Sequence, residues 1–96
     1  MTVVLLPGAK EEMDEACGYY ESRQRGVGDN FLEEFRRAVD RILQFPHGWH
    51  PMDETYRRCQ LRRFPYGIIY RVDETNRRII ITTVMQLNRR PGSWRR

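Results

Sequence analysis

Ninety-six residues, 40% of them apolar and 31% charged, suffice for one small domain with its own core and are too few for two. No apolar run approaches the ~20 residues of a membrane span, and residues 2–6 lack the basic flank and length of a signal peptide, so a soluble cytoplasmic protein is expected. The net charge of +4 is split between halves: residues 57–96 carry eleven Arg against Asp73 and Glu74 (+9), whereas residues 1–56 carry six basic against eleven acidic side chains (−5).

In chain order, Val3-Val4-Leu5-Leu6 predicts a short strand that ends at Pro7-Gly8. From Ala9 the period changes. Met13, Ala16, Cys17 and Tyr20 fall on one stripe of a helix, with Glu11, Glu12, Asp14, Glu15 and Glu21 on the remaining surface. Gly26-Val27-Gly28 is expected to end this helix, because glycines supply the positive φ of a tight reversal. Asp29 or Asn30 can cap a second helix, with Glu33 or Glu34 completing the box. Its apolar stripe comprises Phe31, Leu32, Phe35, Ala38, Val39, Ile42 and Leu43, facing away from Arg36, Arg37 and Arg41. Pro46 stops it, and a polar loop with Trp49 and Pro51 leads onward.

Three strands are predicted next, over residues 58–64, 66–72 and 78–86, the last nearly all β-branched. Pro65-Tyr66-Gly67 and Asp73-Glu74-Thr75-Asn76 separate them at hairpin length. The expected fold class is α+β, in the order β-α-α-β-β-β, with a helical hairpin packed on one face of a small, mainly antiparallel sheet and residues 1–96 forming a single domain. Alternation turns Cys59 and Leu61 toward the helices and Arg58, Gln60 and Arg62 away from them, while Arg71 shares a side with Gly67 and Ile69. The outward face is expected to be open and polar. The charge asymmetry suits it to a polyanion, whether RNA, DNA or an acidic protein segment, since guanidinium groups bind phosphate and carboxylate alike. Binding candidates are Arg58, Arg62, Arg63, Arg71, Arg89, Arg90 and Trp94. Cys17 and Cys59 are expected to be two buried thiols rather than a disulfide. Trp49 and Trp94 are expected to cap the ends of the core. No metal or cofactor is expected: His47 and His50 lack a clustered third ligand, and no phosphate-binding or dinucleotide motif is present.

Residues 61–72 (LRRFPYGIIYRV), the Ile/Val strand after them and the ending Arg89-Arg90-Pro91-Gly92-Ser93-Trp94 resemble the RelE/ParE superfamily of toxins from bacterial type II toxin-antitoxin systems, often termed plasmid stabilisation proteins. Residues 16–21 (ACGYYE), Gly26-Val27-Gly28 and the helix running into Phe45-Pro46 are similar to the helical hairpin of that family, so the resemblance covers essentially the whole chain. It implies a growth-inhibiting toxin neutralised by a cognate antitoxin. Its target is either ribosome-bound mRNA, cleaved by a RelE-like endoribonuclease (an mRNA interferase), or DNA gyrase, poisoned by a ParE-like inhibitor. An alternative is a catalytically silent interaction module, or a corepressor, that binds an antitoxin-like partner.

The family's nucleases often carry Arg where this chain has Gly67, and many relatives carry His at the position of Gln86, His or Arg at that of Asn88, Tyr at that of Ser93 and a catalytic Tyr at that of Trp94. Each difference removes a charged or proton-transferring group that attack by a 2′-hydroxyl could use. The catalytic candidates that remain are Arg62, Arg71, Arg89 and His50, so whether the chain is an enzyme stays open at this level.

Overall fold

The computed structural model describes residues 1–88. It contains β1 (Thr2–Leu5), α1 (Pro7–Arg23), α2 (Val27–Gln44), β2 (His50–Pro51), β3 (Tyr56–Gln60), β4 (Tyr66–Asp73) and β5 (Arg78–Gln86). One sheet runs β1-β5-β4-β3-β2, with β1 parallel to β5 and the other pairings antiparallel, and both helices cover one of its faces. The α+β class and the order of elements are as expected, with the two-residue β2 added at the edge.

Element boundaries follow from backbone chemistry. Pro7 starts α1 instead of ending β1, because its missing N–H costs nothing in the first helical turn. The turn between helices is shorter than predicted. Gly26, at φ 89°, is the residue flanking α2, and Gly28 lies inside the helix. Neither Asp29 nor Asn30 caps it. Instead the Glu21 carboxylate, one helix earlier, accepts hydrogen bonds from the Gly26 N–H (3.1 Å) and the Gly28 N–H (3.0 Å), filling the positive end of α2. A Cβ at position 28 would lie 2.9 Å from Glu21 Oε1 and 3.0 Å from the Cys17 carbonyl, so only glycine permits this approach. Glu33 and Glu34 pair with arginines of their own helix, Glu33 with Arg36 and Arg37, and Glu34 with Arg37.

The core lies between the helices and the near face of the sheet. Phe31, Phe35, Ala38 and Ile42 of α2 and Ala9 and Ala16 of α1 meet Cys59, Ile68, Tyr70, Ile79, Ile81 and Val84. Leu32 and Leu43, at 38% and 36% exposure, fall outside the buried part of the predicted stripe. Both cysteines are free thiols. Rings bind the hairpin to the sheet: Tyr20 meets Phe64 edge-on at 4.9 Å, and Phe31 meets Phe64 at 5.2 Å and Tyr66 at 5.3 Å.

β3 starts two residues earlier and ends four earlier than the predicted 58–64, because Arg63 adopts φ 71° and reverses the chain ahead of Pro65. Between β4 and β5 a bulge moves the register from Ile69↔Thr83 to Tyr70↔Ile81, and the Thr82 hydroxyl donates to the Ile69 carbonyl at 3.4 Å. β5 outruns β1, and beyond it the Val84 N–H donates to Glu12 Oε1 at 3.2 Å, a partner that the amphipathic pattern of α1 does not reveal.

The far face of the sheet differs from expectation. It is not an open polar surface, since Ile69, Ile80, Thr83 and Met85 are buried and Met52 and Tyr56 pack on Ile69 and Met85. The run of apolar residues in β5 is covered on both sides, as a continuous apolar strand requires.

Phe31→Ala should remove the ring that joins hairpin and sheet and cost about 3–5 kcal/mol, read as a lowered denaturation midpoint; an unchanged midpoint would contradict the packing described. The Asp73 carboxylate, held by the Asn76 side chain (3.0 Å), Arg78 (2.9 Å) and the Asn76 N–H (3.2 Å), has its pKa lowered to about 2. Because the folded value lies below the unfolded one, the turn's contribution is complete above about pH 4 and is lost as pH falls toward 2. Carboxylate-detected NMR should show Asp73 titrating near 2, and Asn76→Ala should move it upward.

A cationic cleft as the candidate functional site

β2 pairs with only two residues of β3, placing His50 opposite Arg58 and leaving the Gln60 carbonyl bare at the sheet edge. Arg41, in the last turn of α2, reaches over this edge and donates from Nη2 to the Gln60 carbonyl at 3.0 Å. Trp49 donates from Nε1 to the Arg41 carbonyl at 3.1 Å, and the Arg41 guanidinium lies 6.0 Å from the Trp49 ring centroid. Together Arg41, Trp49, His50, Arg58, Gln60 and Arg62 line a cleft of about 360 Å³.

The loop that bears Trp49 and His50 is tied down from several sides. The Tyr70 hydroxyl donates to the Pro46 carbonyl at 2.6 Å, Arg57 donates to the Trp49 carbonyl at 2.9 Å, and His47 Nε2 lies 2.7 Å from Glu74 Oε1. Burial pushes the Tyr70 phenol up to about 12, the neighbouring Arg57 opposing the shift, so this donor stays protonated over the whole physiological range. The cleft wall is therefore preformed.

Arg58 is set by the strand beside it. Its aliphatic stem crosses Gly67, where an added Cβ would sit 3.0 Å from Arg58 Cγ, 3.1 Å from Arg58 Cδ and 3.1 Å from Leu87 Cδ2. Its Nε, like that of Arg78, is buried with no hydrogen-bond partner among the described residues. Among the described residues Arg58, Arg62, Arg63 and Arg71 have no carboxylate partner, whereas Arg36, Arg37 and Arg78 are paired.

Of the candidates from sequence, Arg58, Arg62 and His50 come together. Arg63 occupies the left-handed position of the β3–β4 hairpin, and Arg71 lies between Tyr56 and Ile80; neither lines the cleft. Arg89, Arg90 and Trp94, with Ser93, lie outside the described residues. Gln86 belongs to a separate cleft with Glu12, Glu15, Tyr19 and Tyr66, and Asn88 is exposed. Sequence reasoning missed Arg41 and assigned Trp49 to packing alone. One signal existed: Arg41 is the last basic residue of α2, eight positions before Trp49, across a Pro46 that must fold the chain back.

Three guanidinium groups, an amide and one imidazole can bind anions, and the half-buried Trp49 indole, with Arg41 over its ring, forms part of the wall. Among the described residues no carboxylate lines the cleft. Among the described residues no group of His, Cys, Asp and Glu could hold a metal ion, and no helix is long and apolar enough to cross a membrane.

A family model described as the ParE toxin of type II toxin-antitoxin system, parDE, matches residues 3–90. A solved structure titled "Chromosomal ParDE TA system from P. aeruginosa" is similar at a TM-score of 0.78 and 17% identity, covering 92% of this chain and 97% of that one, and establishes the likeness of fold. No curated protein matches the chain.

Gly67→Ala should force Arg58 and Leu87 aside and cost about 1–3 kcal/mol in a denaturation experiment, whereas Arg62→Ala, at an exposed position, should leave stability within about 0.5 kcal/mol.

Proposed function

Since the chain belongs to the ParE toxin family of type II toxin-antitoxin systems, which implies an antitoxin partner, we propose that it is a growth-inhibiting cytoplasmic toxin that acts by holding its target, and that the target is DNA gyrase. The observation that carries this reading is the chemistry of the cleft. It presents permanent cations and hydrogen-bond donors, with His50 the one imidazole among its described lining residues. Cleavage of RNA through its 2′-hydroxyl uses a base, a stabiliser of the phosphorane and a donor to the leaving oxygen. Gly67, Gln86 and Asn88 supply none of the ionisable groups seen at those positions in nuclease relatives, and Gln86 lines a different cleft. The antitoxin in this reading covers the unpaired arginines with an acidic segment that orders on binding.

A second reading keeps ribosome-bound mRNA as the target, because His50 lines the cleft beside Arg58 and Arg62, where a base and two phosphate-binding groups would be needed. One pair of assays separates them. Purified free chain is added to gyrase on supercoiled plasmid and, in parallel, to ribosomes translating a defined mRNA mapped by primer extension. The expected result is lost supercoiling with accumulated cleaved plasmid and no new mRNA ends. Ribosome-dependent cuts that disappear in His50→Ala would overturn the gyrase reading in favour of the nuclease.

A further inference from the structure

We propose that Tyr70 and Arg57 are the positioning residues of the cleft, placing Trp49 and His50 for the target by gripping the backbone of the loop that carries them. The proposal rests on the reading of this cleft as the place where the chain holds its target, whichever target that is.

The loop needs such a grip. Residues 45–49, between α2 and β2, lie outside every helix and strand, and β2 itself pairs over only two residues. Within the loop the Gly48 N–H donates to the Phe45 carbonyl at 3.0 Å, a tight turn that leaves the direction of the segment open. What aims it comes from the sheet. Arg57 and Tyr70 stand opposite each other on β3 and β4, so their side chains leave the same face, and they take two carbonyls three residues apart. The Tyr70 hydroxyl donates to the Pro46 carbonyl at 2.6 Å and Arg57 Nη1 to the Trp49 carbonyl at 2.9 Å. Two anchors on neighbouring strands fix the orientation of the loop as well as its place, which one anchor cannot.

Neither residue is explained by packing or by charge alone. Tyr70 has no exposed surface, and phenylalanine would fill the same core space without a hydroxyl that must find an acceptor. What the hydroxyl adds is a defined position for Pro46. Arg57 lines a separate cleft with Glu54 and Glu74, yet its hydrogen bond goes to the neutral Trp49 carbonyl. The tether from His47 to Glu74 joins side chains that are 60% and 62% exposed, where water competes and such a pair holds little. Tyr70, buried and protonated throughout the physiological range, is the stronger anchor.

The consequence for the cleft is preorganisation. Trp49 donates its indole N–H to the Arg41 carbonyl and His50 stands opposite Arg58, so this wall depends on where residues 46–50 lie. A loop freed from Tyr70 would have to be ordered each time a target binds, and that ordering is subtracted from affinity.

The test reads the loop and its action separately in Tyr70→Phe and Arg57→Met, which keep the ring and most of the stem. Loop order is read as solvent exchange of the Trp49 indole N–H by nuclear magnetic resonance, its signal identified by its absence from Trp49→Phe. Action is read as the concentration of purified chain that halves gyrase supercoiling, and as growth arrest on expression. Both variants are expected to fold, to exchange that proton about tenfold faster and to need about tenfold more protein, the scale of one buried hydrogen bond. A core control, Ile68→Val or Ile68→Ala, whichever matches the denaturation midpoint of Tyr70→Phe, is expected to change neither. Unchanged exchange in both folded variants overturns the anchoring. Equal effects in the Ile68 control reduce the role to general stability and overturn positioning, and faster exchange with undiminished growth arrest overturns the link to the action of the cleft. A wild-type chain that arrests growth without inhibiting gyrase refutes the choice of gyrase alone, because exchange and growth arrest still decide the role of Tyr70.

Discussion

Burial of β5 on both faces is the constraint from which the rest of the architecture follows. Its residues from Ile79 to Met85 are all buried, so a helical hairpin on one side cannot be enough. The second cover comes from Met52, in the chain between β2 and β3, and from Tyr56, the first residue of β3, which pack over Ile69 and Met85. To do this the chain must leave α2, pass around the sheet edge and return as β3. That detour brings the end of α2 beside the edge of β3 beyond β2, where Arg41 reaches the Gln60 carbonyl and the cleft lies.

The same constraint explains what could be read directly from the residues. β5 appears at its predicted bounds because a β-branched run between Arg77 and Leu87 has no helical alternative. α2 is equally legible, since Phe31, Phe35, Ala38 and Ile42 repeat at helical spacing. The far face was misjudged through Ile69 and Met85: alternation assigns them to the outside, but only tertiary wrapping decides whether an outside face meets water. The end of β3 was misplaced because Arg63 takes a left-handed conformation that its side chain does not announce.

The cleft was legible by half. Arg58, Arg62 and His50 follow from strand alternation and from the position of the loop. Arg41 and Trp49 do not, because their partnership rests on hydrogen bonds to backbone carbonyls, and such bonds leave no trace in side-chain patterning. Charge counting also overstates the basic face. Arg78 is committed to Asp73, and Arg57 is committed to the Trp49 carbonyl. Among the described residues Arg58, Arg62, Arg63 and Arg71 are left without a carboxylate partner.

Glu21 bears on this selectivity from the opposite end of α2. The start of a helix is a natural landing place for phosphate, and here two of its amides already face a carboxylate from the preceding helix. With those amides occupied, the start of α2 is closed to phosphate, so the side chain that caps the helix also removes a competing anion site.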